Sequence, residues 1–172
     1  MAFNPSFSKF VSTPRESHDE RGRFAKLYQR NSVLENSENI IEQVNLVQNS
    51  EHGTLRGLHW QLPPYDEKKI VTCLKGEIWD VIVDIREYSD TYCDWYGAYL
   101  NPSNRLQVRV PRGFAHGYIT TKEQSGVLYF SDNVYSQVHE MGAKWNDSRF
   151  NIVWPLTPLL ISKKDEEWPK FS

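Results

Sequence analysis

The sequence predicts an all-β fold, a sandwich or jelly roll, on three observations. Short runs rich in Val, Ile, Thr, Tyr and Trp recur after Gln43, each bounded by Gly, Pro, Asn or Asp. Sustained helical periodicity is almost absent. Aromatic residues make up 13% of the chain, with nine Tyr and six Trp, and such side chains favour pleated, half-buried surfaces.

Taken in order, Ser17-His18-Asp19-Glu20-Arg21-Gly22 reads as a turn, followed by an extended piece over residues 23–28. Residues 32–41 form the one segment before the β region with helical character, and it is short. Residues 70–74 are a strand that ends at the Lys75-Gly76 turn. Residues 77–85 read as one long strand with acidic residues spaced along it. Further short strands are expected at 96–100, 106–110, 117–121 and 127–130. Asn101-Pro102 and Pro111-Arg112-Gly113 supply turns between them. Beyond Trp145 the pattern is mixed: Trp154-Pro155 ends a strand, and residues 161–165 start a turn of helix. No repeat, low-complexity tract or linker divides residues 1–172, a length that suits one domain with a full core. Sheets of this kind hide their edges, commonly by pairing subunits, so a homodimer is expected, with the N-terminal segment at its interface.

Composition narrows the function. A formal net charge of -2 argues against a nucleic-acid-binding surface, so an anionic ligand requires a local basic cluster. No apolar run approaches membrane-spanning length, and the N-terminus lacks a basic stretch followed by an apolar one. Cys73 and Cys93 are too few for a disulfide framework, and Cys73, in an apolar run, reads as a buried thiol. A cytoplasmic protein with no membrane partner is the expectation.

Arg56-Gly57-Leu58-His59-Trp60-Gln61 and Pro111-Arg112-Gly113-Phe114-Ala115-His116-Gly117 put two histidines on strands of a small barrel. They form either a metal site or a proton-transfer site. A divalent cation needs three or four ligands, commonly a His-x-His pair, a downstream Glu and a later His. Here the second position of the pair is Gln61, a poor ligand, and no acidic residue follows at the usual short spacing. No metal is therefore expected. Proton transfer next to a ketone needs fewer parts: a base, a cation or donor for the enolate oxygen, and an acid on the opposite face. A neutral His oriented by a carboxylate suits the base near pH 7. His59, Lys69, Tyr129 and Asp165 supply base, enolate stabiliser, acid and orienting carboxylate. No cofactor is required, because the carbonyl itself acidifies the proton.

Several motifs in order now resemble a known family. Asp19-Glu20-Arg21-Gly22, Arg56-Gly57-Leu58-His59, the run from Gly76 to Arg86, Pro111 to Gly117, Trp145-Asn146-Asp147 and Ile152-Val153-Trp154-Pro155 are similar to dTDP-4-dehydrorhamnose 3,5-epimerases. The resemblance implies a cupin-like double-stranded β-helix with short peripheral helices, usually a homodimer, without metal or cofactor. It implies inversion at C3, C5 or both of a nucleoside-diphospho-4-keto-6-deoxy sugar, foremost dTDP-4-dehydro-6-deoxyglucose. It assigns His59 as base, Asp165 as its partner, Tyr129 as acid and Lys69 as the lysine. His116 lines the pocket, Tyr135 stacks on the nucleobase, and Arg21 and Arg56 lie near the diphosphate, where a guanidinium fork suits phosphate oxygens. Gln43 and Asn45 fall at the nucleotide end, and Phe24 and Lys164 join the substrate-binding set. Lys26, Trp60 and Phe130 differ from what many relatives carry and bear on nucleotide and sugar identity. A C3-only or C5-only epimerase, a 3,4-ketoisomerase, a non-catalytic sugar-binding barrel and a metal-dependent oxygenase are the competing readings.

Overall fold

The computed structural model describes residues 9–29 and 40–171. Its strands are β1 (Val11–Ser12), β2 (Arg15–Asp19), β3 (Gly22–Lys26), β4 (Gln43–Asn49), β5 (Thr54–Gln61), β6 (Lys69–Lys75), β7 (Ile78–Asp84), β8 (Trp95–Leu100), β9 (Gln107–Val110), β10 (Phe114–Thr120), β11 (Ser125–Ser131), β12 (Glu140–Gly142) and β13 (Leu160–Ile161). The one α-helix among the described residues is α1 (Lys163–Glu167). β1-β9-β6-β11-β4 form one sheet, and β12-β5-β10-β7-β8, with β13 on β5, form a second. β2 and β3 pair only with each other. The all-β, cupin-like jelly roll stands as expected.

The strands expected at 70–74, 77–85, 96–100, 106–110, 117–121 and 127–130 all form, with ends moved by up to three residues. Two expectations need correction. Trp154-Pro155 ends no strand: the chain there is irregular, and Trp154 instead packs on the second sheet. The turn assigned to residues 17–22 is a hairpin whose first strand already begins at Arg15. The helix expected over 32–41 lies outside the described residues, except for Ile40 and Ile41, which are not helical.

Two cores explain the patterning. Between the sheets, Val71, Val108, Val110 and Val127 meet Ile78, Ile82, Leu100, Phe114 and Tyr118. Behind the second sheet, Leu55, Leu58, Trp79, Val81, Val83, Ala115 and Ile119 pack against Trp145, Phe150, Ile152, Trp154 and Phe171 of the C-terminal segment. β7 is thus buried on both faces, which is why it reads as a near-continuous apolar run. Its acidic residues have distinct partners. Asp84 accepts hydrogen bonds from Arg86, Ser89 and Thr91 and so folds the following loop back on the strand. Burial pushes its carboxyl up, but those donors outweigh burial and hold it well below the usual carboxylate range. Asp80, four residues earlier on the face shared with Ile78 and Ile82, meets His116 in the barrel interior.

The Arg-Gly-Leu-His spacing has a structural cause. Across β5 and β10, His116 pairs with His59 and Tyr118 with Arg56, so two steps on one strand match three on the other. This is a bulge, and Gly57 sits in it at φ +121°. The extra residue reverses the alternation: Leu55 and Leu58 face the outer core, while Arg56 and His59 both face the barrel interior. A Cβ on Gly57 would lie 2.6 Å from the Gly117 Cα, so the glycines of the two histidine motifs are packed against each other.

Candidate active site

A cleft of about 320 Å³ opens between the sheets. From the second sheet it receives Arg56, His59, His116 and Tyr118, and from the first Val47, Lys69 and Tyr129. Ser162, Lys164 and Asp165 reach it from the start of α1. Seven of the twelve residues singled out from sequence therefore converge: Arg56, His59, Lys69, His116, Tyr129, Lys164 and Asp165.

His59 and Asp165 are separated by 106 residues, yet His59 Nε2 lies 2.6 Å from Asp165 Oδ1. β13 lies parallel to β5 and delivers the chain to Ser162, the N-cap of α1. Ser162 Oγ accepts the Asp165 N–H at 3.1 Å, which fixes the acidic residue at the helix start. Gly57 N–H donates to the second carboxylate oxygen at 3.3 Å. Burial works to raise the Asp165 pKa, but the His59 and Gly57 hydrogen bonds outweigh it, and the carboxyl lies below its ordinary value. A carboxylate on Nε2 selects the tautomer with the proton there and leaves the lone pair on Nδ1. Trp168 lies edge-on to the imidazole, its ring seated on Gly142, the residue opposite His59 on β12.

His116 forms a second pair, with Nε2 2.8 Å from Asp80 Oδ2. Lys69 Nζ lies 2.9 Å from Glu67 Oε1, with both side chains nearly buried. Burial first, and then the Glu67 charge, raise the Tyr129 pKa and keep its phenol protonated. Arg56 Nε donates to the neutral amide oxygen of Asn49 at 2.9 Å, and no carboxylate among the described residues pairs with it. Its charge is thus available to an anion. The site can take a proton from carbon at an oriented imidazole, hold negative charge at an ammonium and return a proton from a phenol.

The other five candidates lie elsewhere. Gln43 Oε1 accepts the Tyr135 N–H at 3.1 Å, and Gln43 Nε2 donates to Asn45 Oδ1 at 3.0 Å. Tyr135 Oη donates to Glu140, which also accepts from Lys164 at 2.6 Å, so this cluster adjoins the cleft through Lys164. Arg21 and Phe24 are not brought to the cleft. They sit on the β2–β3 hairpin, largely exposed, around a separate surface hollow, with Arg21 held by Asp19. Sequence reasoning missed Glu67, Asp80, Tyr118, Glu140, Ser162 and Trp168. Asp80 was visible as an acidic residue in an apolar strand, and Ser162 as a cap before Asp165; the others carried no signal.

The family model for dTDP-4-dehydrorhamnose 3,5-epimerase matches residues 8–172. The chain is 40% identical over 165 residues to the dTDP-4-dehydrorhamnose 3,5-epimerase of Shigella flexneri, covering 94% of this chain and 90% of that protein. It superposes with a TM-score of 0.88 and 39% identity on the dTDP-4-dehydrorhamnose 3,5-epimerase of Bacillus anthracis with TDP and PPi bound, over 94% of this chain and 93% of that one. The Legionella pneumophila dTDP-6-deoxy-D-glucose-3,5-epimerase, in complex with dTDP-4-keto-L-rhamnose, superposes with a TM-score of 0.86 at 32% identity, over 93% and 86% of the two chains. Likeness this extensive in both sequence and backbone means that the chain belongs to the dTDP-4-dehydrorhamnose 3,5-epimerase family.

Proposed function

We propose that this protein epimerises dTDP-4-dehydro-6-deoxyglucose at C3 and C5 to dTDP-4-dehydrorhamnose by proton abstraction and return. The observation that carries the proposal is the His59–Asp165 pair at 2.6 Å, in a cleft shared with Lys69, His116 and Tyr129. His59 Nδ1 takes the proton α to the C4 ketone, and the C–H electrons pass to the carbonyl oxygen as an enolate. Lys69, helped by His116, stabilises that oxygen. Tyr129 then protonates the carbon from the opposite face; His59 releases its proton to solvent, the Tyr129 phenolate takes one up, and the cycle repeats at the second carbon. The ketone supplies the acidity, so these steps use side chains alone.

Arg56 takes the diphosphate, with Lys164 beside it, and Tyr135, Gln43 and Asn45 take the nucleobase end. Arg21 joins Arg56 at the diphosphate, and Phe24 the nucleotide end, from a second copy of the chain, since β2 and β3 pair only with each other and neither residue lines the cleft of its own chain. The exposed apolar face of β4, with Val44 and Leu46, is surface that such a dimer would cover. Sedimentation should give twice the 20.2 kDa of the chain, and a fully active monomer would refute the shared site. No helix among the described residues is long and apolar enough to cross a membrane. The two free cysteines suit the reducing cytoplasm as its compartment.

The direct test is proton exchange into the 4-keto sugar in D2O, read by NMR. His59→Ala should lose exchange at both carbons. Undiminished exchange would remove His59 from the role of base.

A further inference from the structure

We propose that Glu67 is the positioning residue for Lys69, and that Gln61 ties this pair to the loop carrying Tyr135, so that nucleotide seating and enolate stabilisation share one network. The inference rests on the role of Lys69 in the proposed epimerisation.

Glu67 lies between β5 and β6, two residues before Lys69. Its Oε1 faces Lys69 Nζ at 2.9 Å and accepts from Gln61 Nε2 at 3.2 Å, while Oε2 accepts from Ser131 Oγ. Lys69 and Ser131 are partners across β6 and β11, so one carboxylate clamps the ends of two adjacent strands. A lysine has a long, flexible stem, and a fixed, nearly buried carboxylate restricts where its ammonium sits.

Gln61 occupies the position where a His-x-His metal pair would place its second ligand. Its buried amide instead accepts the Ser136 N–H at 2.6 Å, and its two N–H bonds are shared among Glu67 and the carbonyls of Val134 at 3.2 Å and Tyr65 at 3.0 Å. The residues on both sides of Tyr135 are therefore held by one side chain that also touches Glu67. The position demands an acceptor at one end and a donor at the other, which an amide supplies and a carboxylate does not.

The test is a double-mutant cycle read by proton exchange, which needs Lys69 but not the acid Tyr129. Glu67→Gln should lower kcat/KM for exchange about tenfold and Lys69→Met about a hundredfold. If Glu67 acts through Lys69, the double variant should match Lys69→Met within about twofold. Losses that multiply would overturn the proposal, as would a wild-type rate in Glu67→Gln. A wild-type rate in Lys69→Met would overturn the role of Lys69 itself, a separate and recognisable failure. Binding of dTDP alone supplies a readout that general destabilisation of the Lys69 end would not move selectively. Glu67→Gln should leave that affinity within about twofold, whereas Gln61→Met should weaken it about fivefold or more. Gln61→Glu, which keeps the acceptor facing Ser136 but loses the donors, should act in the same direction where Gln61→Met does not fold. Unchanged dTDP affinity in a folded Gln61 variant would sever the proposed link to Tyr135.

Discussion

Replacing Asp165 by Asn keeps its shape and removes its charge, and the geometry leaves the amide no satisfactory orientation. Asp165 Oδ1 faces His59 Nε2 at 2.6 Å, and Oδ2 accepts the Gly57 N–H at 3.3 Å. An amide has one oxygen for these two positions. If that oxygen faces His59, the NH2 group meets the Gly57 N–H, donor against donor. If it faces Gly57, the NH2 group donates to His59 Nε2 and moves the imidazole proton to Nδ1, the nitrogen that must be basic. The first arrangement strands a buried donor at a cost of about 1–3 kcal/mol, and the second removes the base. Deuterium exchange at C3 and C5 should fall by about 10²–10⁴-fold, the usual worth of a general base. The lost charge-assisted bond should lower stability at pH 7 by about 2 kcal/mol. The Asp165 pKa is depressed in the folded protein, so its stabilisation is complete above the unfolded value of about 3.9 and is lost as pH falls through the folded value. The gap in melting temperature between wild type and Asp165→Asn should therefore be full at neutral pH and narrow in acid. A folded Asp165→Asn protein exchanging at both carbons within about threefold of wild type would refute the orienting role.

Two further outcomes are expected. Tyr129→Phe should lower the yield of epimerised product more than it lowers proton exchange, because deprotonation precedes the acid step; equal losses would count against Tyr129 as the acid. Gly57→Ala should cost about 3 kcal/mol, or roughly 10 °C in melting temperature, because its Cβ would meet the Gly117 backbone at 2.6 Å and φ is +121°. Unchanged melting would show that the bulge relaxes at little cost.

How much of this was legible in the chain depends on what kind of contact each residue makes. Strand existence followed from composition and turn residues, so β6 to β11 were visible in outline. The cleft residues His59, Lys69, Tyr129 and Asp165 were found because proton transfer demands specific residue types and the motif order supplied one of each. Partners set by register were hidden. Asp80 reaches His116 only because β7 pairs with β10, and the bulge at Gly57 breaks the simple alternation that would have located the Arg56 side chain. Glu140 and Trp168 lie on short or irregular segments whose docking no local pattern encodes. Arg21 and Phe24 mark the opposite limit: matching a motif identified them, but their own chain does not carry them to its cleft.

The two-sheet construction itself bears on stereochemistry. Inversion at carbon requires removal of a proton from one face and delivery to the other, so base and acid must flank the ring. His59 comes from β5 in one sheet and Tyr129 from β11 in the facing sheet, so in the proposed reaction a sugar held in the cleft would meet one on each side. C3 and C5 both adjoin C4, so in the proposed mechanism a single enolate oxygen serves either deprotonation and Lys69 alone would suffice for both. On that mechanism, the number of carbons inverted would depend on how the ring is presented to His59 rather than on any additional catalytic group. Variants at the nucleotide end, such as those at Tyr135 or Arg56, should therefore change the ratio of C3 to C5 exchange, whereas Lys69→Met should depress both together.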